Sequence, residues 1–245
     1  MKIIISPAKK MIDTSDSFVP STKPCFLHDA KTIFNTIKKL NREELKTVLK
    51  CNNQLVDLNY DRYATNKLEK ANMMALVTYQ GLQYQEMAPH VFSDDAWRYV
   101  NEHLVILSGL YGCLKPTDAV VPYRLEMQAK IKIKNHHNLY DFWGDKIAKE
   151  LLQDNDVIIN LASKEYSDVI EPYCKDRMIT IVFGELINDK IKIKGTLAKM
   201  ARGAMVRYMA EHNITQVDDM KHFNLYGFAY SKQHSSKNEI VFIKQ

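Results

Sequence analysis

Three stretches of the chain place polar side chains directly behind an apolar run. Ile3-Ile4-Ile5 ends in Ser6-Pro7-Ala8-Lys9, Leu104-Val105-Ile106-Leu107 in Ser108-Gly109-Leu110-Tyr111, and Val157-Ile158-Ile159 in Asn160, followed by Ser163, Lys164 and Glu165. Hydroxyls, phenols and carboxylates in such positions are the groups that proton transfer and nucleophilic attack use. Ser108, Tyr123, Glu126, Asn160 and Glu165 are therefore the candidate catalytic residues. A second chemistry is electrostatic. Lys9, Arg124, Lys199, Arg202 and Arg207 carry charge suited to phosphate, and Gly109 and Gly112 allow a loop whose N–H groups approach an anion. The same glycines with Lys115-Pro116 also describe an ordinary tight turn, and Lys9-Lys10 two solvated lysines, so both readings stay open.

Other chemistries find no support. The eight histidines and four cysteines form no cluster with metal-ligand spacing, and neither a Walker loop nor a dinucleotide fingerprint is present. No metal and no cofactor are expected. Cys113 could act as a nucleophile beside Gly112, but nothing nominates an activating histidine.

The elements that must position these residues are those of a mixed α/β chain. Apolar runs at Lys2 to Ile5, Leu104 to Leu107, Asp156 to Leu161 and Met178 to Phe183 read as buried strands. Helices are expected from His28 to Lys39, after an Asn41 cap, near Gln54 to Tyr60, from Asn66 to Thr78, after Ser93, from Asp145 to Leu152 and from Thr196 to Met209. Tyr79 to Met87 reads as a hairpin-like loop between two helices, an arrangement that can hold a nucleic-acid backbone against main-chain N–H groups. Ala129 to Lys134 and Lys190 to Lys194 alternate isoleucine with lysine at period two, fitting strands that line a basic groove or outer strands guarded by lysine. On the last helix Lys199, Gly203 and Arg207 recur every four residues beside Arg202, forming a basic stripe with glycine at its centre. Two strands joined by a polar hairpin close the chain.

Bulk properties agree with a soluble globular protein: 245 residues, 46% hydrophobic and 26% charged, with a net charge of +5 that permits a polyanionic partner without requiring one. No stretch is long and apolar enough for a membrane span, and the scattered cysteines and the start of the chain fit the cytoplasm. No repeat or linker divides the chain, so residues 1–245 are expected to form one compact domain, a mixed sheet flanked by helices.

Five blocks, Ile5-Ser6-Pro7-Ala8-Lys9, Leu107 to Gly112, Pro122-Tyr123-Arg124-Leu125-Glu126-Met127, Asn160 to Tyr166 and Lys199-Met200-Ala201-Arg202-Gly203, resemble in identity and order those of the YaaA family of peroxide stress resistance proteins. The resemblance implies a cytoplasmic bacterial protein that helps limit oxidative damage and is associated with low free iron under peroxide stress. It also implies an unusual single-domain α/β fold with a helix-hairpin-helix element and a basic cleft that binds duplex or distorted DNA. Where that family's hairpin carries a second glycine, this chain has Glu86. An enzyme acting on a nucleotide or damaged base in the same cleft is the alternative. Oligomeric state is not legible.

Overall fold

The computed structural model describes residues 1–153 and 157–245. Its centre is a sheet built from β1 (Lys2–Ile5), β2 (Leu104–Ser108), β3 (Gly112–Leu114), β4 (Ile158–Leu161), β5 (Met178–Ile187), β6 (Lys190–Lys192), β7 (Phe228–Tyr230) and β8 (Glu239–Lys244). Across the sheet the order is β7-β8-β5-β4-β1-β2-β3, with β6 folded back on β5. The five inner strands run parallel, and β3 and β7 close the edges antiparallel. Ile3, Ile4 and Ile5 are all fully buried although successive side chains point to opposite faces, so β1 is covered on both sides. The four strands expected in the apolar runs all form; Asp156, at the start of one expected strand, lies outside the described residues.

Helices cover the sheet: α1 (Leu27–Ile37), α2 (Arg42–Leu49), α3 (Asn53–Thr65), α4 (Leu82–Met87), α5 (Asp94–His103), α6 (Leu139–Trp143), α7 (Lys146–Leu151), α8 (Lys164–Ser167) and α9 (Gly195–Glu211). Local chemistry sets their starts. Asn41 Oδ1 accepts from the Glu44 N–H at 3.0 Å while Glu44 Oε2 accepts from the Asn41 N–H at 2.9 Å, a reciprocal cap for α2. Ser93 Oγ accepts from the Ala96 N–H and starts α5. The β5–β6 hairpin turns on Asn188 and Asp189, both at positive φ, as a two-residue turn with the twist of its strands requires. Buried apolar side chains from Ile3 to Phe242 join in one continuous core.

Three local expectations are corrected. Residues 66–78 are not one helix: Met73–Met74 pair with Ala119–Val120, and the Ala75 and Leu76 N–H groups donate to Asp118 and Pro116 carbonyls, leaving a 3-10 turn at Leu68–Lys70 and one α-helical turn at Ala75–Thr78. The expected loop at 79–87 is mostly helix α4, because Gln83, Tyr84 and Met87 turn one buried face toward α9. A helix-hairpin-helix is thus not shown. Ala129 to Lys134 keeps its alternation of buried and exposed side chains but forms no strand beyond a bridge between Ile133 and His136. A positive φ at Lys134 folds the segment back before it can find a partner strand. Lys190–Lys192, by contrast, is an outer strand whose lysines are exposed.

Gly203 explains how α9 is placed. A Cβ there would lie 2.0 Å from the Gln83 carbonyl oxygen, so only glycine lets α9 meet α4 this closely. Gly203→Ala at an unhindered helix site would stabilise by about 1 kcal/mol. Here the sign reverses, and a loss of about 2–3 kcal/mol in urea unfolding is expected from the forced separation. Stabilisation of the alanine variant would contradict the packing.

Candidate functional site

The carboxyl ends of β4, β1 and β2 are neighbours, and the register sets Ile5 beside Ile106 on one side and Leu161 on the other. The chain leaves β1 toward β2 and later crosses back to β4, so strand order reverses around β1, the usual place for a crevice in an open parallel sheet. A cavity of about 370 Å3 opens there, bounded by the Ser6 to Lys10 loop, Gln80 to Tyr84, Glu126, Ser163, Glu165 and Tyr166 and, from α9, Lys199 and Arg202. Its hinge of polar contact is a serine pair. Ser6 Oγ accepts from the Ser163 N–H at 2.8 Å and donates to Ser163 Oγ at 3.1 Å, tying the β1 loop to the β4 loop.

One wall is ionic. Glu126 is buried and its Oε1 receives Arg124 Nη2 at 2.9 Å and Lys9 Nζ at 3.1 Å. Glu165 stands on α8 with its pKa raised, first by burial and then by the Glu126 charge, against the Gln128 N–H and Lys9, which lower it. On α9, Arg202 is half-buried with its Nε out of solvent, and desolvation alone depresses its pKa below the usual guanidinium value. Among the described residues no carboxylate pairs with Arg202, and its Nε has no hydrogen-bond partner. Gln80 Oε1, Gln83 Nε2, Arg124 Nε and Glu126 Oε2 are likewise buried and unpartnered. Buried polar groups are normally satisfied, so donors (Gln83 Nε2, Arg124 Nε, Arg202 Nε) and acceptors (Gln80 Oε1, Glu126 Oε2) left open around one cavity single it out as the candidate binding site.

The expected residues separate into three sets. Lys9, Glu126, Glu165, Lys199 and Arg202 border the cleft, and Arg124 borders its narrow extension with Tyr123. Ser108 lies fully buried behind that wall: its hydroxyl is 2.6 Å from that of Tyr123, which is 2.7 Å from that of Tyr79, and it accepts from the Tyr111 N–H. Burial pushes the Tyr123 phenol up to about 12. Asn160, Gly109, Gly112 and Arg207 do not border it. Asn160 accepts from the Ala162 N–H and donates to Thr180. Gly109 leaves room for the Leu125 carbonyl, Gly112 for the Trp143 ring, and Arg207 pairs with Glu211 at 2.7 Å. Glu86 accepts from the Tyr226 hydroxyl and is not a cleft residue. Gln80 and Gln83 carry no signal in a sequence whose 79–87 stretch reads as a loop. Among the described residues no group of three or more His, Cys, Asp or Glu side chains could hold a metal ion, and no helix is long and apolar enough to cross a membrane.

The raised pKa of Glu165 has a sign that can be checked. The folded state holds this proton more tightly than the unfolded chain, so ionising Glu165 costs stability above its folded pKa, and the cost vanishes below the ordinary value of 4.5. Glu165→Gln is expected to stabilise the protein near neutrality, with the gain shrinking as urea unfolding is repeated from about pH 8 to about pH 4. A gain that grows toward acid would contradict the assignment.

Comparison with known proteins adds a family-wide context. The profile of the family described as "Peroxide stress protein YaaA" matches residues 1–234. A UPF0246 protein of Desulfitobacterium hafniense is 49% identical over 246 residues, covering 100% of this chain and 98% of its own. UPF0246 proteins of Ligilactobacillus salivarius and Lachnoclostridium phytofermentans are 47% and 46% identical, each over 246 residues, spanning all of this chain and 100% and 96% of theirs.

Proposed function

The chain belongs to the peroxide stress protein YaaA family, and on that premise we propose that the cleft at the β4–β1–β2 ends binds DNA by its phosphate backbone. The observation that carries this reading is Arg202, a desolvated guanidinium with no carboxylate partner among the described residues, beside the exposed Lys9, Lys10 and Lys199. A buried cation left uncompensated is costly, and a phosphate in the cleft offsets that cost with charge-assisted hydrogen bonds. A volume of about 370 Å3 takes a phosphate or a single nucleotide unit and not a double helix. Duplex therefore lies across the mouth, and distorted DNA, in which a nucleotide leaves the stack readily, is the favoured ligand. A helix-hairpin-helix contact would use α4, α5 and the turn at Ala88 between them. Covering DNA in this way, in the cytoplasm, limits iron-dependent oxidative damage during peroxide stress.

Fluorescence anisotropy with intact and mismatched duplexes tests the reading. Affinity falls steeply with salt, each neutralised phosphate contributing about 0.9 to the log–log slope. Arg202→Gln removes about one unit of slope and weakens every sequence alike, whereas Arg207→Gln, changing a residue already paired with Glu211, leaves binding near that of the unaltered protein. Salt-independent binding, or equal losses in both variants, would sink the proposal.

An enzyme acting on a nucleotide or damaged base is favoured by one observation, the raised pKa of Glu165 beside buried Glu126. That reading takes over if Glu126→Gln and Glu165→Gln abolish peroxide protection in cells while DNA affinity is retained.

A further inference from the structure

At the opposite end of the sheet a second cavity, of about 630 Å3, opens at the amino ends of β1 and β2. Lys2, Leu104 and Val105 border it, and so do two cysteines far apart in sequence, Cys25 and Cys113. Their sulfurs are 3.7 Å apart. Cys25 is exposed in the loop before α1, whereas Cys113 is buried on edge strand β3. The other two cysteines, Cys51 and Cys174, do not border this cavity. Nothing in the DNA-binding reading uses this pair.

We propose that Cys25 and Cys113 form a peroxide-reactive dithiol, with Cys25 as the attacking sulfur and Cys113 as the resolving one. Division of labour follows from the contact. With the Cys113 S–H donating to Cys25, that bond holds the Cys25 thiol below its ordinary pKa, while the same bond and burial push Cys113 up. Partial burial, then Glu150 and Asp118, oppose the Cys25 thiolate, and the Phe26 N–H favours it. A low-pKa thiol that solvent reaches, next to a resolving cysteine, is the arrangement that peroxide oxidises selectively. The Cys25 thiolate attacks one oxygen of hydrogen peroxide and the O–O bond breaks, giving a sulfenic acid and hydroxide, which takes a proton to leave as water. The Cys113 sulfur then attacks the Cys25 sulfur, forming the S–S bond and expelling the sulfenic oxygen as a second water. Two thiols are oxidised by two electrons and one peroxide is reduced to two waters. Closing the bond brings the sulfurs together by about 1.7 Å, to the roughly 2.0 Å of a disulfide. The product ties the loop before α1 to the edge of the central sheet, a transient link of the kind a reducing compartment allows.

Exposure of the fully reduced protein to hydrogen peroxide, followed by thiol counting and peptide mapping without reductant, tests the inference. The expected result is a fall from four free thiols to two, with the Cys25 peptide joined to the Cys113 peptide and two hydrogens lost. In Cys113→Ser, Cys25 is expected to accumulate a sulfenic acid that dimedone traps. In Cys25→Ser, thiol loss is expected to slow by about tenfold or more. Four retained thiols, a bond that includes Cys51 or Cys174, or unchanged reactivity of Cys25→Ser would overturn it. Peptide mapping of the unaltered protein decides the matter even if a variant fails to fold. The readout is independent of DNA, so it stands or falls apart from the cleft.

Discussion

The Gln83 carbonyl occupies the space that any side chain at position 203 would need. That single close approach fixes α9 against α4, and the cleft follows from it. Arg202 and Lys199 come from α9, Gln80 and Gln83 from the α4 side, and the two sets face the loops after β1 and β4 only because the helices touch. Burial of Arg202 is a consequence of the same contact, since a larger residue at 203 would part the helices and let water reach the guanidinium. The packing constraint and the electrostatic property are therefore one feature of the fold.

What the cleft holds together is unequal in charge. Glu126 is shared by Arg124 and Lys9, so its carboxylate is spent within the protein and orders the wall. Glu165 is only half-buried, and burial, with the Glu126 charge, raises its pKa above that of a solvated carboxylate. Arg202, Lys10 and Lys199 have no such internal use among the described residues. An incoming anion meets cations that are free on one side and, on the other, a Glu126 carboxylate already committed to Arg124 and Lys9. This arrangement suits phosphate, and it accounts for a glutamate two residues from Arg124.

Much of the fold was legible because its signals are local. Ile3 to Ile5 and Leu104 to Leu107 read as doubly covered strands from composition, and Asn41 and Ser93 as caps from side-chain chemistry; of the polar residues behind the strands, Ser6, Lys9 and Glu165 reach the cleft while Ser108 and Asn160 do not. The failures came where distant segments decide. The N–H groups of Ala75 and Leu76 are taken by carbonyls at 116–118, which no helical period reveals. Ala129 to Lys134 obeys its two-residue period in burial yet never meets a partner strand. In the site, Lys9, Lys199 and Arg202 could be picked out by charge and spacing. Gln80 and Gln83 could not, because their role depends on a helix–helix contact written into the sequence only as a glycine some 120 residues later.

Nitrogen-15 NMR of the arginine side chains tests the central claim most directly. When a short duplex carrying a mismatch is titrated in, the Arg202 Nε–Hε resonance is expected to shift and saturate with the binding isotherm, because its unpartnered donor finds a phosphate. An Arg202 signal that stays still while amides along residues 130–134 move would place DNA on the lysine-bearing loop instead and contradict the account.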